Sequence, residues 1–364
     1  MIDRAWGDRL SAADERWLTR GYFTVGYVVP QSGTAGIYGP SCEACGQLAV
    51  ERINAQGGIK GREVRLLTID GGSPDVSAIV NRHLSAGTID AISGWHISAV
   101  RSVIAGVVHG RVPYVYAALH EGGAPDPGVV YAGEHPNMQI RPALEWLRAE
   151  IGVHRWALVG NDYIWPRRTA QFVREAARDS ALSIEAEFYV PLATRDFTTI
   201  VDTLSKNPPD GVLMLLVGND AVSFSRAFCE AGLTRGVVRY SPIIEENAIL
   251  ANICDANRNL YVSAGFFDTL MTPEALDFAA KYYARFGTTA SSPRLNSIGE
   301  SCYEALLLLR EIASRTHPAD PLLYETPRGA VTLRNNQVQQ DIYIAQAHGY
   351  EFDILAQVAS VPHR

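Results

Sequence analysis

Hydrophobic positions along this chain alternate between two periods. Residues 22–29 (YFTVGYVV) form a continuous apolar, β-branched run, as in a strand covered on both faces, and a Ser/Gly-rich loop follows. From 40 to 54 the apolar residues fall at helical spacing, and Gln56-Gly57-Gly58 supplies a stop. A strand pattern returns at 63–70, a helical one at 74–86, and short strand runs at 89–93 and 112–116 bracket a helix over 98–108. The alternation then repeats, with strands at 156–159, 183–190 and 211–217 and helices near 166–177 and 197–205. It predicts an α/β protein made of two Rossmann-like lobes, each a mostly parallel sheet with helices on both faces. The tail is strand-like again at 331–333, 341–345 and 352–358. That is too little chain for a third domain, so these read as late strands added to the two lobes.

Length agrees with this picture, since 364 residues exceed a comfortable single core. The net charge of −7, with no Lys/Arg block, argues against a nucleic-acid surface. No segment approaches the ~18 uninterrupted apolar residues of a membrane-spanning helix. Residues 1–21 are read as an N-terminal extension. They are polar, of mixed charge and without the apolar stretch of an export signal, so a cytoplasmic protein is expected. The alternative is a periplasmic or lipid-anchored protein whose signal has been removed.

Catalytic signatures are missing: there is no GxSxG, no Walker loop and no HExxH, and residues 36–39 do not make GxGxxG. No enzyme activity, cofactor or metal is expected. Cys42 and Cys45 form a CxxC without a second pair. Their helical spacing with Leu48, Ala49 and Ile53 predicts buried, reduced thiols rather than a zinc or redox site. The informative chemistry lies in the loops after strands, where ligands bind in open α/β sheets. These are residues 32–39, 93–98 (SGWHIS), 116–121 (YAALHE) and 160–167 (GNDYIWPR). Aromatic walls with a few hydroxyl and amide groups suit a small polar solute. On spacing alone, Ser98 is equally a plain helix cap and Trp165 a packing residue.

Residues 160–167, followed by Tyr189-Val190-Pro191-Leu192 and Arg195-Asp196-Phe197, resemble the type I periplasmic-binding-protein fold, and within it the amide/urea branch. Residues 49–61 (AVERINAQGGIKG), 70–75 and Glu300-Ser301-Cys302-Tyr303 resemble further segments of that family, so the likeness spans roughly 22–350. The resemblance implies two lobes joined by three crossovers, one formed by 22–134 plus 268–335 and the other by 135–267 plus 336–364. It implies a ligand held between them by Tyr38, Trp95, His96, Ser98, Tyr116, Ala118, His120, Tyr163, Trp165, Val217, Ile244 and Glu245. At Ala118 the family usually has threonine, which points away from ordinary amino-acid carboxylates. Glu245 is an unusual acid which, facing the cleft, would accept from an amide or ammonium group. The expected ligand is therefore a short amide, urea or an amino-acid-like molecule. The expected role is a sensor acting on a regulatory partner protein, or alternatively the receptor of an ABC permease, with a homodimer left open.

Overall fold

The computed structural model describes residues 21–178, 180–252, 254–314 and 321–359. Most of the N-terminal extension expected over 1–21 lies outside the described residues. The chain first builds β1 (Tyr22–Val29), α1 (Gly39–Ala55), β2 (Glu63–Asp70), α2 (Val76–Ala86), β3 (Ala91–Gly94), α3 (Ser98–Val108), β4 (Tyr114–Tyr116) and β5 (Val129–Tyr131). It then crosses to α4 (Pro136–Trp146), β6 (Arg155–Asn161), α5 (Ile164–Arg178), β7 (Ser183–Val190), α6 (Thr198–Lys206), β8 (Gly211–Leu215), α7 (Asn219–Glu230), β9 (Val238–Ser241), α8 (Glu246–Ala251) and β10 (Leu260–Ala264). It returns as α9 (Pro273–Phe286), α10 (Ser297–Ser314), β11 (Leu322–Thr326), β12 (Gly329–Arg334) and β13 (Gln337–Gln339), and ends with β14 (Ile342–His348) and β15 (Glu351–Ala359).

Two sheets result, ordered β11-β12-β13-β5-β4-β3-β1-β2 and β15-β14-β10-β9-β8-β6-β7. The pairs from β1 to β5 and from β6 to β10 are parallel, and the late strands add antiparallel edges. Central strands are dry on both faces: every residue of β8 is buried, as are seven of the eight in β1. This is why those segments read as unbroken apolar runs. In the first lobe α10 lies along α1 and against β3 and β4. Cys42, Cys45 and Cys302 are buried free thiols, as expected for the first two.

One boundary needs correction. The last crossover, expected between residues 335 and 336, follows Gln339 instead. Asn335 and Asn336 have φ of 51° and 60° and join β12 to β13 as a two-residue hairpin, keeping Gln337–Gln339 in the first sheet. An Asn-Asn pair tolerates the left-handed backbone that such a turn requires.

All three crossovers meet at one buried ion cluster. The Arg328 side chain is fully buried and donates to Glu134 (2.8 Å), Glu300 (2.6 Å) and Ser301 (2.6 Å), with Glu304 at 3.4 Å. Glu134, on the first crossover, also accepts from the N–H of Gly265, on the second. Gln340, on the third, is so close that a Cβ at Gly265 would lie 3.1 Å from its Nε2 and 2.9 Å from Arg328 Nη1.

Candidate functional site

The cleft walls come from loops that leave the carboxyl ends of parallel strands. Gly94 ends β3 with φ of 128°, and a Cβ there would lie 2.2 Å from the Val28 carbonyl. Only glycine lets the chain turn that tightly and present Trp95, His96 and Ile97 before α3 begins at Ser98. From the second lobe, the 162–165 segment opens α5 and brings Tyr163 and Trp165 to face them.

Trp95, His96, Ile97, Ser98, Tyr116, Ala118, Leu119, Tyr163, Trp165 and Ile243 line one cavity. Seven of these belong to the expected set, and none of the ten is Asp, Glu, Lys or Arg. His96 carries no charge here: its Nδ1–H donates to the Val28 carbonyl (3.1 Å) and its Nε2 accepts from Tyr114 Oη (2.6 Å). Burial lowers its pKa to about 4. Tyr116 Oη donates to the His96 carbonyl at 2.7 Å, which holds that ring upright. Burial raises the Tyr163 phenol well above its ordinary pKa, with nearby Tyr116 and Tyr38 adding to the shift. Ser98 Oγ, at the first turn of α3, accepts from the Trp165 N–H across the cleft (3.1 Å). In that turn the Val100 N–H is taken by the Ile97 carbonyl (2.9 Å), whereas the Ser98 and Ala99 N–H groups precede any carbonyl partner within the helix.

The lobes are closed on each other. Besides the Ser98–Trp165 contact, Gly218 N–H donates to Tyr38 Oη (2.7 Å) and Thr34 Oγ1 donates to Asp220 (2.5 Å). Asn247 donates to Ser41 Oγ (3.0 Å), and Asn296 donates to Glu245 (2.6 Å). The cavity left between Ser98 and Trp165 is about 10 Å³, the least that holds one water. Small-molecule pockets are typically ~300–1,000 Å³. Admission of a ligand therefore requires the lobes to part, breaking this set of hydrogen bonds.

Five expected residues do not line the cavity. Tyr38 instead packs edge-on against Trp95, with centroids 5.0 Å apart, and is occupied by Gly218. Val217 is tied back, its N–H donating to Asn161 and its carbonyl accepting from the Asp220 N–H (3.1 Å). This removes residues 216 and 217 from β8, although the apolar run continues through them. Ile243 takes the place foreseen for Ile244. His120 lies behind the wall, stacked on Tyr131 with centroids 4.4 Å apart. Glu245 meets the other lobe through Asn296 but does not line the cavity: it caps α8, accepting from Asn247 and Ala248 N–H. Burial raises its pKa to about 8. Ile97, Leu119 and Ile243 escaped the sequence reading, having no polar signal beyond adjacency to named positions.

Two lobes closing over a small, aromatic-walled cavity are the architecture of a solute-binding protein. A family profile described as periplasmic binding protein matches residues 23–351, and the chain belongs to that family. A "Leu/Ile/Val-binding protein homolog 8" from Brucella abortus is 24% identical over 288 residues, covering 74% of this chain and 70% of that protein. An ABC-transporter solute-binding protein from R. palustris, solved with benzoate, superposes with a TM-score of 0.79 at 16% identity, over 93% of this chain and 97% of that one. The branched-chain amino acid transporter substrate-binding protein of Streptococcus pneumoniae, solved with isoleucine, gives 0.75 at 15% identity, over 92% and 99%. The family overturns the cytoplasmic expectation. That expectation rested on the polar residues before β1, whereas the match over residues 23–351 is to a family described as periplasmic binding proteins. The relatives just described are named for benzoate, isoleucine and Leu/Ile/Val, not for amides or urea.

Proposed function

We propose that this protein is the substrate-binding component of an ABC transporter for a small monocarboxylate with an aromatic body. The observation that carries the reading is the cavity lining: the rings of Trp95, Tyr116, Tyr163 and Trp165 surround one polar end, Ser98 at the first turn of α3. Rings supply apolar area at low entropic cost, and the α3 terminus with its hydroxyl suits an anionic oxygen. No carboxylate lines the cavity to balance an α-ammonium, and Ala118 withholds the hydroxyl expected there, which together disfavour amino acids. The R. palustris relative, solved with benzoate, supports the choice. The amide or urea ligand and the regulatory partner implied by the motif resemblance have no comparable support, and an ABC permease is the partner proposed.

A thermal-shift and calorimetric panel tests this with benzoate, leucine, isoleucine, acetamide and urea. Benzoate at 100 times its Kd is expected to stabilise the protein by ~2.7 kcal/mol. Stabilisation by leucine or isoleucine with none by benzoate would overturn the aromatic reading.

A further inference from the structure

Behind the Tyr116 wall lies a second group of polar atoms that the cavity lining does not include. Arg101, one helical turn after Ser98 on α3, pairs with Glu121 (Nη2–Oε2, 2.9 Å) and Asp126 (2.9 Å). Its guanidinium lies 5.2 Å from the ring centroids of both Tyr116 and Tyr131. Three atoms of this group are buried without a hydrogen-bond partner: Arg101 Nη1, Glu121 Oε1 and His120 Nε2. His120 Nδ1 accepts from the Gly122 N–H at 3.2 Å, so its proton sits on Nε2. Burial, with His135 and Arg101 nearby, keeps the ring neutral.

The group thus offers two kinds of donor, a guanidinium N–H and an imidazole N–H, beside one carboxylate acceptor. A buried polar atom without a partner is costly, so the arrangement is unfavourable unless something satisfies it. The group adjoins the cavity through the lining residues themselves: Arg101 follows Ser98 on α3 and lies 5.2 Å from the Tyr116 ring, and His120 and Glu121 follow Leu119 directly in the chain. Arg101, Glu121 and His120 all belong to the first lobe, on the rim that also carries Ser98. When the lobes part, Tyr163 leaves the cavity with the second lobe.

We infer that Arg101, Glu121 and His120 form a second polar subsite that takes a hydroxyl on the ligand's aromatic ring, remote from the carboxylate held at Ser98. A hydroxyl matches the group in both senses, because it accepts from Arg101 or His120 and donates to Glu121. A second carboxylate would meet Glu121, and an ammonium would meet Arg101. The inference rests on the aromatic-carboxylate reading and narrows it to ring-hydroxylated acids.

Calorimetric titration of the full chain with 4-hydroxybenzoate and with benzoate tests it. The hydroxylated acid is expected to bind at least about tenfold more tightly, since a site built for a hydroxyl discriminates strongly against its loss. Glu121→Gln and, separately, His120→Phe are expected to bring the ratio of the two affinities towards one. Benzoate binding as tightly as 4-hydroxybenzoate to the unaltered protein would overturn the subsite and leave the aromatic-carboxylate reading standing. Binding of neither acid would overturn that reading, and the subsite with it. Full discrimination retained by both variants would also refute the assignment. The comparison in the unaltered protein holds whether or not either variant folds.

Discussion

Arg328→Met should destabilise the protein, and more so as pH rises. The Arg328 side chain is fully buried, and its contacts to Glu134, Glu300, Glu304 and Ser301 all lie within 3.4 Å. Methionine fills part of the volume but leaves three carboxyl groups without their counter-charge. Breaking such a buried set by removing one partner costs ~3–5 kcal/mol. With an unfolding entropy of ~2.1 cal/mol/K per residue, a chain of this length should lose about 4–7 °C in Tm. The pH dependence follows from Glu300 and Glu304. Burial raises both above the ordinary glutamate value, Glu300 strongly, although the charge of Arg328 pulls against it. A carboxyl with a raised folded pKa favours the folded state most below its unfolded pKa, near 4.3, and that contribution fades as pH climbs through the folded value. Without Arg328 the folded values rise further, so the variant should lose more at pH 8 than at pH 5. Calorimetric Tm values at pH 5, 6.5 and 8 check this. A loss below about 2 °C at pH 8, or an equal loss at every pH, would refute the cluster as a charge-bearing tie between the first two crossovers and Arg328.

Three further outcomes follow from the closed cleft. Gly218→Ala should hold the lobes apart, because Gly218 has φ of 51° and a Cβ there would lie 2.1 Å from the Thr34 carbonyl. Small-angle scattering with saturating ligand should then show a larger radius of gyration than the unaltered protein, and an equal radius would refute it. Ser98→Ala removes the acceptor of the Trp165 N–H, and should cost roughly 1 kcal/mol in the free protein and about tenfold in ligand affinity by calorimetry. Unchanged affinity would displace the proposed polar end from α3. Glu245→Gln should flatten the stability–pH curve between pH 5 and 8, because the folded pKa of Glu245, raised by burial to about 8, makes its contribution fall as pH rises across that window. Denaturant unfolding across the range reads this directly, and an unchanged slope would show that Glu245 does not titrate there.

The sequence by itself determined the two-lobed α/β architecture. Strands buried on both faces must be apolar throughout, and β1 and β8 are visible for that reason. It also marked the loops after strands; within them Trp95, Ser98, Tyr116, Tyr163 and Trp165 were named through the family resemblance, since spacing alone left Ser98 equally a cap and Trp165 equally a packing residue. Where signals were short or unusual the reading ran out. β5, β9 and β13 span only three or four residues, and a hairpin at Asn335-Asn336 shifted the last crossover. Glutamate is an uncommon helix cap, so nothing local showed that Glu245 is used as one instead of lining the cavity. Which side chains share the cavity, how little space closure leaves, and which polar atoms are stranded behind Tyr116 depend on contacts between residues far apart in sequence. Those contacts exist only once the two lobes are folded and brought together, and only the tertiary structure decides them.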